Sequence, residues 1–206
     1  AEIFVGCAGG VDTTCTFTYT TEPAPAGYHY FKVAVANGCG GHSGCDIHLG
    51  RANANKLLAR FIWSVAKKHD VVIAEIEGGN LRNAIPRAAS AIIGVPSAAK
   101  EDVRIAMNHY SAVVENEYKG VEPNLSVDLE SADAPAQCID NATAMNLINA
   151  LYCAPHGVIS MSRELEGLVE TSTNLAAIKM LPNNEILVTT SQRSSVDSRK
   201  WDIANQ

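Results

Sequence analysis

Arg51-Ala-Asn-Ala-Asn-Lys-Leu-Leu-Ala-Arg-Phe-Ile-Trp-Ser-Val-Ala-Lys-Lys-His69 is the stretch on which the fold turns. Ala54, Leu57, Leu58, Phe61, Ile62 and Val65 recur at intervals of three and four, the spacing of one face of an amphipathic helix. Before it, Tyr28 to Ala36 reads as a strand with Val33 and Val35 on one face, followed by the glycine-rich loop Gly38-Cys-Gly-Gly-His42-Ser-Gly44. After it, Val71 to Ile76 reads as a strand, Gly78-Gly79 as a turn and Arg87 to Val95 as another strand. Ser97 can cap a second helix carrying Val103, Met107, Tyr110 and Val114, which ends near Gly120. Leu125, Val127 and Leu129 alternate as a last strand. Residues 28–132 thus read β-α-β-β-α-β, the ferredoxin-like order with helices on one face of an antiparallel sheet.

The flanks supply a second unit. Thr14 to Thr20 alternates Cys15, Phe17 and Tyr19 with threonines, a half-buried strand ended by Pro23 and Pro25. Asp133-Ala-Pro135 is expected to open a helix bearing Ile139, Leu147, Ile148 and Leu151. Strands follow at Val158–Met161, Val169–Met180 and Glu185–Thr190, with Pro182-Asn-Asn184 as a turn. This unit lacks a first strand, which Thr14–Thr20 is available to supply. The expected fold is therefore α+β, with two ferredoxin-like units: residues 28–132 inserted in an outer unit made of 1–27 and 133–206. Ala1-Glu-Ile-Phe-Val5 opens as a strand without a preceding turn, and a helix begun at Ser194–Asp197 stops at Gln206 with no Gly or Asn to close it. Both ends read as cut, so a fragment of a longer chain is expected.

Composition narrows the function. The 206 residues are 47% hydrophobic and 18% charged, in the range of a packed globular chain. A net charge of -6, with no basic run longer than Lys67-Lys68 or Arg199-Lys200, argues against binding a phosphate backbone. No apolar run approaches the roughly 18–20 residues that span a bilayer. Six scattered cysteines form no small-domain disulfide framework and read as free thiols of a reducing cytosol.

Three stretches could carry chemistry. Cys39, His42, Cys45 and His48 are zinc-ligand types, but so short a run rarely wraps a tetrahedron, and a glycine loop with buried thiols is the simpler reading. His42 alone, with glycines on both sides, could be a polar group that a substrate approaches closely. Asn83 lies between a Gly-Gly turn and Ile85-Pro86, which by itself is a hairpin turn. Asn174 and Arg193 lie on strands near the end of the chain. An Arg there usually forms an ion pair, although its fork also suits a substrate carboxylate. Neither a two-metal ligand set nor a nucleophile motif accompanies them.

The run Gly40-Gly-His-Ser-Gly-Cys-Asp-Ile-His-Leu-Gly-Arg-Ala-Asn-Ala-Asn-Lys-Leu-Leu-Ala-Arg60 closely resembles the aminoacyl-histidine dipeptidases, cytosolic enzymes that cleave Xaa-His dipeptides of the carnosine kind. Val5–Asp12, Gly78–Pro86 and Leu165–Leu175 match in the same order. In that family a two-zinc catalytic domain is interrupted by a lid, and the metal ligands lie outside the lid. The resemblance therefore implies a lid that is inactive alone and holds no metal. Its implied partners are the catalytic domain of the same polypeptide, a dipeptide substrate and, as a further option, a second copy in a homodimer. A cytoplasmic location follows from the same likeness. His42 matches the lid histidine that stabilises the oxyanion, Arg193 the arginine that grips the substrate carboxylate with Asn174 as its neighbour, and Asn83 the Asn of an N-x-I-P motif. In dimeric relatives with a small lid the histidine reaches across from the partner subunit, so a duplicated lid would mimic that dimer within one chain. Only the outer unit carries the Arg, since Pro96 stands at the corresponding place in the inserted one. Two alternatives stay open: a free-standing ferredoxin-like ligand-binding or assembly module, and the lid of a related amidohydrolase or deacylase.

Overall fold

The computed structural model describes residues 8–206, so the strand expected at Ala1–Val5 lies outside the described residues. In chain order the elements are β1 (Gly9–Thr18), β2 (Thr21–Pro23), β3 (Tyr28–Ala36), β4 (Gly41–His42), α1 (Ala54–Ala66), β5 (Val72–Gly78), β6 (Ala84–Ile85), β7 (Ala89–Pro96) and α2 (Lys100–Glu117). They continue with β8 (Ser126–Ala132), β9 (Gln137–Ile139), α3 (Asn141–Cys153), β10 (Gly157–Met161), β11 (Val169–Leu181), β12 (Glu185–Ser194) and α4 (Asp197–Asn205).

Helix α1 forms where its periodicity places it. Asn53 caps it, its side chain accepting the Lys56 N–H at 3.1 Å. Leu57, Leu58, Phe61, Ile62 and Val65 are buried against the sheet, each worth about 1.5–3 kcal/mol of transfer free energy. Residues 28–132 give the strand order β5-β7-β3-β8, antiparallel throughout, which is the ferredoxin-like interleaving expected. Val33 lies between Ala91 and Leu129, and Phe31, Val33 and Val35 point into the same core as α1 and α2. The α+β class with an antiparallel sheet is thus as expected.

The flanking strands add a different order. They run β1-β12-β11, and the first half of β11 pairs with β10. Strand β1 lies on the outer edge of β12, from Gly9 opposite Ser194 to Thr18 opposite Glu185. The length of β11 explains this. At 13 residues it exceeds β10, so its later part is free to bond β5, with Ile178 opposite Gly78. Its other edge is taken along the whole hairpin by β12, which turns through Asn183 and Asn184 at φ 66° and 60°. The two halves consequently share one eight-stranded sheet.

The helical layer is shared in the same way. Helix α1 packs on α3, and Lys56 Nζ donates to the carbonyls of Leu151, Tyr152 and Ala154 at 2.9, 2.6 and 2.7 Å. These are carbonyls that the end of α3 leaves without intrahelical partners. Burial pulls the Lys56 ammonium below its ordinary pKa. The hydrophobic core is contiguous from Phe31 through Ile148 to Val188.

One expected element moved. Gln137–Ile139, read as the first turn of a helix, is strand β9 paired with β2, Thr21 standing opposite Ile139. Helix α3 starts only at Asn141, because Asp140 caps it. Its Oδ1 accepts the Thr143 N–H and its Oδ2 the Thr20 N–H, both at 2.9 Å. These backbone donors, Thr143 first, hold the Asp140 carboxyl below its ordinary pKa.

Candidate functional site

The loop between β3 and α1 is shaped around Gly41. Gly41 has φ 137°, and a Cβ on it would stand 2.5 Å from the Arg51 guanidinium and 2.7 Å from the Asp46 carboxylate. Both groups work inside the loop. Asp46 Oδ2 accepts the His42 N–H at 2.8 Å, while Arg51 lies 3.7 Å from it and donates to the Gly40 carbonyl at 2.6 Å. Strand β4 pairs with β6, and Ser43 N–H donates to the Asn83 carbonyl at 2.8 Å. The His42 loop and the Asn83 turn are therefore a single backbone assembly.

The His42 ring is oriented by its own loop. Its Nδ1 accepts the N–H groups of Gly44 and Cys45, both at 3.1 Å. An Nδ1 engaged as acceptor leaves the proton on Nε2, the tautomer that donates a hydrogen bond outward. The ring is half-buried.

Arg193 lies near the end of β12, opposite Gly10 of β1 on one side and Ser172 of β11 on the other. Among the described residues it forms no ion pair, and its Nε is buried without a hydrogen-bond partner. The structural role that an Arg usually takes is thus unfilled. Gly44 is the meeting point. A Cβ there would stand 3.2 Å from Arg193 Nε and equally 3.2 Å from His42 Cε1, so the two side chains lie within twice that distance of each other. They come from residues 151 positions apart in the sequence.

The two asparagines are placed differently. Asn83 is exposed at its turn. Asn174 is 0% exposed; its Nδ2 donates to the Ala84 carbonyl at 2.9 Å, and its Oδ1 accepts from Asn53 at 3.4 Å. Asn53 also donates to the Leu175 carbonyl at 3.0 Å and contacts His156 Nδ1 at 3.1 Å. Burial pushes the His156 imidazole down to about 4, so it is neutral at pH 7. Across the sheet, Arg82 reaches Asp12 at 2.9 Å and ties the Asn83 turn to β1. The sequence marked neither Asn53 nor Arg82 as part of the site. Asn53 caps α1 and also reaches β11, and no spacing in the sequence shows that reach.

His42 and Asn83 both line an open concavity of about 1610 Å³ on the sheet face opposite the helices. Among the described residues no cluster of three or more His, Cys, Asp or Glu could hold a metal ion. The Cys39 thiol is directed at the Val121 carbonyl, 3.7 Å away. Among the described residues the Cys39–His48 run does not gather a zinc site.

Residues 33–122 match the family described as the peptidase dimerisation domain. The chain is 38% identical over 199 residues to the cytosol non-specific dipeptidase of Escherichia coli (strain K12), covering 97% of this chain and 41% of that protein. It superposes on the crystal structure of the aminoacylhistidine dipeptidase of Vibrio alginolyticus with a TM-score of 0.93 and 37% identity, covering 98% of this chain and 41% of that one. The likeness read from the Gly40–Arg60 run is borne out. The chain spans about two fifths of the length of these two relatives, 41% of each. Among the described residues no helix is long and apolar enough to cross a membrane.

Proposed function

We propose that this chain is the lid of a cytosolic two-zinc dipeptidase of the aminoacyl-histidine type, carrying substrate-binding groups to a catalytic domain of the same polypeptide. The observation that carries the reading is the convergence at Gly44: a hydrogen-bond donor fixed as Nε2–H beside a guanidinium that has no ion-pair partner among the described residues. These are the two groups needed by a dipeptide whose scissile carbonyl becomes an oxyanion a few bonds from a free carboxylate. His42 donates to that oxyanion, an interaction of about 2.7–4 kcal/mol when preorganised. Arg193 binds the C-terminal carboxylate through its fork. Asn83, exposed at the turn, is assigned a substrate contact, and Asn174, its amide engaged with Ala84 and Asn53, is assigned to hold that turn beside Arg193. The metal chemistry, with two zinc ions, belongs to catalytic residues outside this chain; the residues here bind and orient.

Residues 28–132 are read as a lid unit inserted in an outer unit of 1–27 and 133–206. The shared sheet at Ile178–Gly78 and the α1–α3 contact support the view that the pair replaces the lid–lid interface of a dimer. His42 comes from one unit and Arg193 from the other, as a trans arrangement requires. A homodimer of the parent is a further partner, suggested by the dimerisation-domain match.

The test uses the full-length parent protein. Dipeptides should be hydrolysed and a chelator should abolish the activity. His42→Ala should lower kcat by roughly 10²–10³ with metal content intact. Unchanged kcat in that variant removes the oxyanion role.

A further inference from the structure

The loop that carries His42 begins and ends on one side chain. Glu122, just beyond α2, is 8% exposed. Its Oε2 accepts the Cys39 N–H at 2.7 Å and its Oε1 accepts the Ala52 N–H at 2.9 Å. Among the described residues no cation pairs with this carboxylate. A buried carboxylate is costly unless hydrogen bonds replace its water. Here the compensation comes entirely from the two ends of one loop, through bonds to an ionised acceptor, which are stronger than neutral ones. The residue that gathers them is itself fixed, its N–H donating to the Tyr118 carbonyl at the end of α2, whose Val103, Met107 and Val114 are buried in the core.

Cys39 stands three residues before His42, and Ala52 adjoins the Asn53 cap of α1. Between these points the loop is held by its internal bonds, Arg51 to Gly40 and His42 to Asp46, and by pairing with the Asn83 turn. Those contacts shape the loop. Glu122 is the group that fastens this shape to the helical layer.

We propose that Glu122 is a positioning residue for His42: by clasping the N–H groups of Cys39 and Ala52 it sets where the Nε2–H points in the closed enzyme. The proposal rests on the oxyanion role assigned to His42. A purely structural glutamate would change stability without regard to His42, whereas a positioning one acts through it.

The experiment is a kinetic cycle in the full-length enzyme with Glu122→Gln, His42→Ala and the double variant. Glu122→Gln keeps the shape but replaces one acceptor by an NH₂ group that cannot receive a backbone N–H. The expected result is a roughly ten- to hundred-fold lower kcat with unchanged KM, as small misplacements of catalytic groups produce. In the His42→Ala background the same change should cost nothing further. A wild-type kcat for Glu122→Gln, or an equal loss in both backgrounds, overturns the proposal while the role of His42 stands. A wild-type kcat for His42→Ala removes the oxyanion role and this inference with it. If Glu122→Gln does not fold, hydrogen exchange of the wild-type enzyme decides. Slow exchange at the Cys39 and Ala52 amides is expected, and exchange at the rate of open loop amides overturns the clasp.

Discussion

Replacing Arg193 by Ala is the perturbation that tests the site most directly, because its effect should depend on a group in the substrate. The guanidinium forms no ion pair among the described residues and keeps a buried Nε without a partner, so truncation breaks no internal bridge. Under the proposed role, what it removes is the fork offered to a carboxylate. Hydrogen bonds to charged groups contribute about 1.5–3 kcal/mol each. With one or two such bonds formed, kcat/KM on a dipeptide with a free C-terminus should fall between about ten-fold and 10⁴-fold, since 1.36 kcal/mol is ten-fold. The assay is steady-state hydrolysis of a dipeptide and of its C-terminal amide by the full-length enzyme. Wild-type enzyme should discriminate against the amide. Arg193→Ala should be slow on the acid, yet nearly as fast as wild type on the amide, which has no carboxylate to lose. Arg193→Lys should recover part of the loss, because a point charge lacks the planar fork. An equal loss on both substrates would refute the carboxylate assignment.

Three further outcomes are expected. Gly44→Ala puts a methyl group 3.1 Å from Arg193 Cδ and 3.2 Å from His42 Cε1, so kcat/KM should fall about ten-fold or more, as for other small misplacements of binding groups. Thermal melts should shift little, and a large drop in Tm would mean that the loop is needed for folding instead. Asp140→Asn should cost about 1 kcal/mol at neutral pH through the weakened cap of α3. Because the folded-state pKa is depressed, that stability is present above the carboxyl's ordinary value of 3.8 and is lost as pH falls through the folded value. Denaturant titrations of the two proteins should therefore converge in acid, and a gap that persists there contradicts the assignment. Metal analysis of the isolated chain should find no stoichiometric zinc, and one ion per chain would revive the Cys39–His48 run as a site.

Much of the fold could be read in advance where spacing alone decides. Helix α1 and the β5-β7-β3-β8 order follow from period-3.6 and period-2 patterns over consecutive segments. The outer strands were found as elements, but their neighbours were not. The pairing of β11 with β5 and of β1 with β12 joins segments far apart in sequence, and nothing in the alternation of Val169–Leu181 says which edge will bond to which strand. Ile139 misled because it fits both a helix face with Leu147 and the inward face of a short strand, and only the Asp140 cap separates the two. His42, Arg193, Asn83 and Asn174 were reached through family likeness, since a lone residue of each type has a commoner structural reading. Glu122 left no trace at all. Its partners are backbone N–H groups, which every residue but proline has, so no pattern of side chains announces it.

Ile178 opposite Gly78 is the seam at which the two halves become one sheet. With Lys56 riveting α1 to the end of α3 beneath it, His42 and Arg193 cannot approach or separate by swinging one half against the other. They travel together, as two teeth of a single jaw. Under the lid role proposed above, closure over a substrate would move the whole plate as one piece.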